Sequence, residues 1–439
     1  MPVWGQAFIF GLGGMLVLMG LGVPIAFALG LIGFAGFLVF SSPQMALNFI
    51  NIISYSAPPN LTLAAVPLFV LMAELLVVTR VGEAAYSSVA KLLSGLPGSL
   101  AIATNGAGTL LGAVMGSSAA SCATLGRIGL PEMKRHGYSN VFAAGAIAGA
   151  GGLAVIIPPS ITAIIYAFVM EQSVIKMFAA GIFPGLLMAT GYISWVVLKA
   201  KMHPEEAPLV PSLPMGERLL GGVHVLPIIL LIGIVLGSIY SGTASVTESA
   251  AFGVVGALLV GLYYHRRAKG TWRDFGDGLR GTAATTSFIM LIVVGAFYFS
   301  QFWVYTGVTK KFAEYMLGLN VSPLMLLIVT NFGLLILGCI MDTLSLLIVV
   351  IPILARTLML MGMDPIWVGN IYLINMEMAL LTPPVGFNLF VVKGLGERYG
   401  MSFAEISKGA FPYVVVDCIV IGLVIAFPEL ALWAARALG

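Results

Sequence analysis

Three long stretches of this chain are nearly free of charge. Residues 1–79 hold one charged residue, Glu74, and residues 92–126 and 281–309 hold none. Stretches of this length can cross a hydrocarbon layer roughly 30 Å thick, which takes about 20 helical residues. The alternation expected of a transmembrane barrel is absent, so the backbone must satisfy its own hydrogen bonds within helices. The chain is 59% hydrophobic and 9% charged, with a mean hydropathy of +1.05, outside the range of soluble domains. The expected fold is all-α and polytopic, with about ten spans in one integral membrane domain over residues 1–439.

Two segments 225 positions apart repeat one pattern. Gly116-Ser117-Ser118, Gly137 and Pro158-Pro159-Ser160 form the first; Ile340-Met341-Asp342-Thr343, Gly362 and Thr382-Pro383-Pro384-Val385-Gly386 form the second. Ser117 falls on Asp342, Gly137 on Gly362 and Pro158 on Pro383 without a gap. Each copy sets a small polar turn inside apolar sequence and then a Pro-Pro break inside the next apolar stretch. Paired interrupted helices in two halves are the sequence mark of a transporter's binding site.

Apolar length and loop residues predict spans near 6–22, 24–40, 61–80, 177–199, 222–240, 244–265, 281–305 and 409–437. Amphipathic interfacial helices are expected at 44–56 and 82–95. The first repeat covers about 1–200, with a re-entrant hairpin at 97–136, whose second arm ends near residue 130, and a broken helix at 140–171. The second covers about 222–439, with a hairpin at 321–361 and a broken helix at 364–394. Lys201–Arg218 and the loop His265–Arg280, carrying Arg266, Arg267, Lys269, Arg273 and Arg280, are assigned to the cytoplasmic side. The two halves are then inverted; Lys310 and Lys311, in a short charged loop, fall outside against that rule.

Hairpin tips and proline breaks free backbone groups, because proline lacks an N–H and clashes with the preceding turn. Freed carbonyls can hold a small cation, and half-helix N-termini favour an anion. Ser117, Ser118, Ser160, Asp342, Thr343 and Thr382 add hydroxyl and carboxylate oxygens that suit sodium. Bland readings stand beside these: a Pro-Pro kink, Asp342 as an N-cap, and Ser117 and Ser118 as caps or small packing residues. Glu377 precedes the second break and Asn388 follows it; both are candidate cavity-lining residues. Glu248 reads as a cap, Glu74 and Asp417 as interhelical hydrogen-bonding groups, and Met359, Met361 and Met363 as packing.

No catalytic motif or phosphate-binding Gly-x-x-x-x-Gly-Lys loop occurs, so no enzyme is expected and no ATP hydrolysis in this chain. Cys122, Cys339 and Cys418 have no metal-ligand spacing and are odd in number. The net charge of +3 gives no ground for a nucleic-acid partner. The first apolar stretch lacks a basic start and is expected to be a retained span.

The stretches Gly116–Ala119, Ile128–Tyr138, Ile156–Ser160, Thr247–Ala250 and Leu381–Leu389 resemble the large membrane subunit of TRAP transporters, the tripartite ATP-independent periplasmic carriers, in order along the chain. The resemblance implies a sodium-driven elevator of the ion-transporter type in a bacterial inner membrane. It implies a small four-helix membrane subunit, a periplasmic substrate-binding protein and an organic-acid cargo such as a C4-dicarboxylate or sialic acid. It also implies two sodium sites flanking the substrate: Gly116, Ser117 and Ser118 with the break at Pro158, Pro159 and Ser160, and Asp342, Thr343, Thr382, Pro383 and Gly386. Met115 departs from the family's frequent serine and removes one possible hydroxyl ligand from the first. The small subunit is expected to be separate. Rival readings are a stand-alone ion-coupled anion carrier and a channel or assembly scaffold.

The inverted arrangement is open to a direct check. Single cysteines placed near Lys134 and near Met361 should react with impermeant reagents from opposite membrane faces; reaction from one face would defeat it.

Overall fold

The computed structural model describes residues 2–56, 61–267, 270–318, 321–339 and 341–438; Lys269 and Ile340 lie outside the described residues. Every regular element there is helical. The first copy contains α1 (Val3–Gly20), α2 (Ile25–Phe40), α3 (Pro43–Ser56), α4 (Leu61–Val78), α5 (Val81–Leu92), α6 (Ser99–Met115), α7 (Ser118–Arg135), α8 (Asn140–Ile156), α9 (Ile161–Val169) and α10 (Val174–Met202). After α11 (Met215–Gly222), α12 (Leu226–Tyr240), α13 (Val246–Arg267), α14 (Trp272–Tyr305) and α15 (Val308–Gly318) follow. The chain ends in α16 (Pro323–Gly338), α17 (Thr343–Val349), α18 (Ile351–Leu360), α19 (Pro365–Leu380), α20 (Phe387–Gly396), α21 (Phe403–Ala426) and α22 (Glu429–Ala437).

Among the described residues, seven helical spans are long and apolar enough to cross a bilayer, two of them, Asn140–Val169 and Met215–Tyr240, joining successive helices, or up to nine spans if each of two bent pairs is one. About ten were expected; α2, α6 and α16, with 16, 17 and 16 residues, are apolar but shorter.

Helix ends follow local chemistry. Ser139, Ser160, Ser173, Ser322, Asp342, Asp364 and Ser402 each accept a hydrogen bond from the first turn they precede. Pro323, Pro352 and Pro365 stand in first turns, where the missing N–H costs nothing. Both Pro158–Pro159 and Pro383–Pro384 are cis.

The core is built around α8 and α19. Every residue from Phe142 to Ile156 is buried, and so is every residue from Ile366 to Leu380. A helix buried on all faces lies inside the molecule. α8 packs against α6, α7, α10, α19 and α21. Its glycines allow this: a Cβ on Gly145 would overlap the backbone carbonyl of Gly409 on α21, and one on Gly149 would overlap the Tyr413 ring. Small residues permit such backbone approach where lipid tails give no hydrophobic drive. On the outer helices large apolar side chains face outward, among them Val17, Leu230, Leu259 and Phe332.

Several expectations change. The second arm of the first hairpin does not stop near residue 130; α7 runs through Pro131 to Arg135 and has 18 residues. Pro131 withdraws a donor only from the carbonyl of Arg127, an exposed residue. The loop at His265–Arg280 is mostly the start of α14, drawn into helix by the Thr271–Asp274 capping box. Lys310 and Lys311 lie not in a loop but on amphipathic α15, which buries Val308 and Ala313. The last span is two helices, because the chain breaks at Phe427-Pro428; α22 then packs on α10, with Trp433 against Phe183. The second arm of the second hairpin bends by 48° between α17 and α18, where Pro352 restarts the helix.

The Gly145–Gly409 contact predicts a local intolerance. Gly145→Ala should lower the thermal stability of the purified chain by about 1–3 kcal/mol, the cost of overpacking. Gly233→Ala, on exposed α12 with nothing near its Cβ, should leave it unchanged or raise it.

Candidate functional site

In each copy of the repeated pattern the hairpin touches the Pro-Pro break, through its polar turn in the first and through the end of its first arm in the second. In the first, α6 ends at Gly116 with φ 58, and Ser117 returns the chain in extended conformation to start α7. A Cβ on Gly116 would stand 3.0 Å from the backbone nitrogen of Ile161 and 3.4 Å from the carbonyl oxygen of Pro159, so the turn is seated in the break. Only glycine combines that φ with that clearance. Ser160 closes the break: its hydroxyl donates to the carbonyl of Val155 at 2.5 Å and accepts from the amide of Ala163 at 3.2 Å. Pro158, Pro159 and Ser160 are buried. Ser117 is half-buried and makes no side-chain hydrogen bond among the described residues.

In the second, Asp342 caps α17, accepting from the amide of Ser345 at 3.2 Å and from its hydroxyl. Thr343 opens α17 and is half-buried. Thr382 donates its hydroxyl to the carbonyl of Met378 at 2.7 Å. The hairpin reaches the break through Cys339, whose thiol lies 3.7 Å from the carbonyl oxygen of Pro383, and through Gly338, where a Cβ would meet Ala379. Gly386, with φ 58, is buried and starts α20, whereas Pro383, Pro384 and Val385 are exposed. Asp342 makes no hydrogen bond to Thr382 or Gly386 among the described residues; its carboxylate is turned to Ser345.

Ser118 of the first candidate set is joined to the two cavity-lining candidates of the second copy, which sequence reasoning missed. Ser118, in the first turn of α7, donates to Glu377 Oε2 at 3.3 Å and accepts from Asn388 Nδ2 at 2.7 Å. Glu377 and Asn388 are fully buried and Ser118 is 6% exposed. α7 and α20 therefore bring their N-terminal ends to one buried carboxylate, an arrangement their dipoles favour. Gly152 on α8 makes the room, since a Cβ there would overlap the Glu377 carboxylate. Behind it, Asp417 on α21 accepts from the Tyr192 hydroxyl at 2.5 Å. Glu377 Oε1, Asn388 Oδ1 and Asp417 Oδ2 are buried without a hydrogen-bond partner among the described residues. Unpaired buried oxygens cost free energy. Partners 259 and 270 positions apart leave no local sequence signal.

The remaining candidates resolve differently. Glu248 takes the amide and hydroxyl of Ser245, as a cap does. The expected interhelical bond holds for Asp417. It fails for Glu74, which faces Gly281 and has no hydrogen bond among the described residues, because a glycine offers no side-chain donor. Met359, Met361 and Met363 pack against the core.

Ser118 and Ser117 should behave differently. Ser118→Ala strands Glu377 Oε2 in a buried setting and leaves Asn388 Nδ2 only its long 3.5 Å bond to the carbonyl of Ala148, at a cost of about 1–3 kcal/mol in thermal unfolding. Ser117→Ala should cost clearly less, and equal losses would contradict the linkage through Ser118.

Comparison with known proteins agrees with this architecture. Residues 12–430 match the family described as "Tripartite ATP-independent periplasmic transporter, DctM component". The C4-dicarboxylate TRAP transporter large permease protein DctM of Pseudomonas aeruginosa is 34% identical over 94% of each chain. The sialic acid TRAP transporter large permease protein SiaM of Vibrio cholerae is 30% identical over 95% of this chain and 96% of its own. The isethionate TRAP transporter permease protein DctMQ of Oleidesulfovibrio alaskensis is 27% identical; the match covers 94% of this chain and 64% of that one. In fold, the chain is similar to the crystal structure of the Alcanivorax borkumensis YdaH transporter, with a TM-score of 0.63 at 16% identity over 89% of this chain and 90% of that one. The chain is a multi-pass membrane protein and belongs to the DctM family of tripartite ATP-independent periplasmic transporters, which are permeases and not enzymes.

Proposed function

We propose that this chain is the membrane carrier of an organic acid, driven by sodium and working as an elevator in a bacterial inner membrane. The observation that carries the reading is the contact of each hairpin with the proline break of its own copy, the two copies being bridged by Ser118, Glu377 and Asn388. Interrupted helices in corresponding positions of two halves are where carriers hold substrate and coupling ions.

The first ion site is formed by Gly116, Ser117 and Ser118 with the break at Pro158, Pro159 and Ser160; the second by Asp342, Thr343, Thr382, Pro383 and Gly386. The oxygen chemistry is suitable. A hydroxyl whose proton is donated to a carbonyl, as in Ser160 and Thr382, still offers a lone pair to a cation. The free hydroxyl of Ser117 supports the first site, and the carboxylate of Asp342 supports the second.

The named cargoes of the relatives are a C4-dicarboxylate, sialic acid and isethionate, all organic anions. We take the same class for this chain. A periplasmic binding protein delivers the anion and a small membrane subunit extends the scaffold, as the family's description of a tripartite periplasmic transporter supports. The two hairpins and broken helices move together past the outer spans, carrying the anion and sodium.

Thermal stability in sodium against potassium at equal ionic strength tests the coupling. A ligand that binds only the folded state stabilises by about 1.4 kcal/mol at roughly ten times its Kd. Asp342→Ala removes the cap of α17 and should cost about 1 kcal/mol in either salt. The sodium-specific increment should appear in the native chain and fall in the variant, which keeps only the first site. An increment undiminished in Asp342→Ala removes Asp342 from the site, and no increment in the native chain at any sodium concentration tested would sink sodium coupling here.

A further inference from the structure

Two cavities of about 590 and 760 Å³ share Glu171, Gln172, Val304 and Arg356 and form one vestibule between the end of α9 and helices α14, α15 and α18. Gln301 lines the first lobe and Lys310 the second. The vestibule thus carries two cationic side chains and one acidic one.

Arg356 is set up to receive a ligand. It is exposed, lines both lobes and makes no hydrogen bond among the described residues. Its ion-pair partner is Glu171, at 3.8 Å, with the side chains 47% and 85% exposed. That distance exceeds the hydrogen-bond range of about 2.7–3.2 Å, and an exposed pair of this kind is weak. The guanidinium fork, with five N–H groups, is therefore left largely to solvent and free to take a ligand.

Glu171 gives a second, independent observation. It stands at φ 55, one of two non-glycine residues with positive φ among those described. It follows α9 in a Schellman turn: its amide bonds to the carbonyl of Phe168 at 3.3 Å, and the amide of Gln172 to that of Ala167 at 2.7 Å. Glycine or asparagine is favoured at that position, and glutamate is strained there. Its exposed side chain gains no packing to offset the strain, so what the position retains is a carboxylate beside Arg356.

The geometry points to a binding site for an organic anion in this vestibule, with Arg356 holding the anion and Glu171 its displaceable counter-charge. Resting on the organic-anion reading above, the inference adds where such an anion is met and by which residue. A planar guanidinium binds two oxygens of a carboxylate side by side, and a sulfonate presents the same pair. Glu171 occupies the guanidinium when no ligand is present, too loosely to compete with a bidentate one.

The test needs no transport and no sodium, so it stands or falls apart from the coupling mechanism. Cys122, Cys339 and Cys418 are replaced by alanine and a reporter is introduced as Gln301→Cys. Its reaction rates are measured with two methanethiosulfonates of similar size, one bearing a sulfonate and the other a trimethylammonium group. Relative to a free thiol, the reporter should favour the anionic reagent by about fivefold, the size of a partly screened charge interaction. Arg356→Gln should abolish the preference, and Glu171→Gln should increase it. Succinate and isethionate should slow the anionic reagent in the chain with Arg356 and not in Arg356→Gln. A preference unchanged by Arg356→Gln would overturn the role of Arg356. Failure of both succinate and isethionate to protect at tens of millimolar would overturn the binding site while leaving the carrier reading intact. Circular dichroism and gel filtration of each variant confirm that a lost preference is not lost structure.

Discussion

A backbone amide or carbonyl freed inside an apolar layer has no water to bond to, and this requirement shapes the molecule. Interrupting a helix there is tolerable only where protein closes over the gap or a water-filled cavity reaches it. The hydroxyl of Ser160 takes the carbonyl of Val155, Thr382 takes that of Met378, and Asp342 and Ser160 serve the amides of the half-helices that follow them. The first hairpin packs its turn against its gap and the second the end of its first arm, so hairpin and break are complementary parts of one arrangement. The all-buried helices α8 and α19 each end in such a gap, which puts both gaps at the edge of the core.

The copies are alike in plan and unlike in environment. Pro158, Pro159 and Ser160 are buried, while Pro383, Pro384 and Val385 are exposed. The second arm of the first hairpin is one helix, whereas that of the second is bent. The joint between the copies is also one-sided: Ser118 of the first reaches Glu377 and Asn388 of the second.

Much of the fold was legible in the sequence because its signals are local. Uncharged length marked the long helices, and the Gly-Ser and Pro-Pro interruptions marked the ends of α6, α8 and α19 within a few residues. The misses have physical causes. Pro131 reads as a stop, yet inside α7 it disturbs only the carbonyl of an exposed residue. Arg273, Asp274, Asp277 and Arg280 read as a loop, yet a capping box that uses Asp274 starts a helix there and leaves the charges of Arg273, Asp277 and Arg280 exposed. The candidate site was legible residue by residue but not as an assembly. Ser118, Glu377 and Asn388 stood out one at a time for polarity in apolar sequence. Their convergence depends on Gly152, whose only contribution is the volume it leaves empty.

The glycines of α8 differ in how freely evolution can revise them. At Gly145 the obstacle to a side chain is the partner's backbone, and at Gly409 it is the carbonyl of Val141 and the amide of Gly145. No exchange elsewhere can shorten a main chain, so those two positions have no suppressor. At Gly152 the obstacle is the side chain of Glu377, which a shorter acid could relieve. Drift in this family should therefore be frozen singly at the first contact and paired at the second, where a change in one helix is licensed by a change in the other.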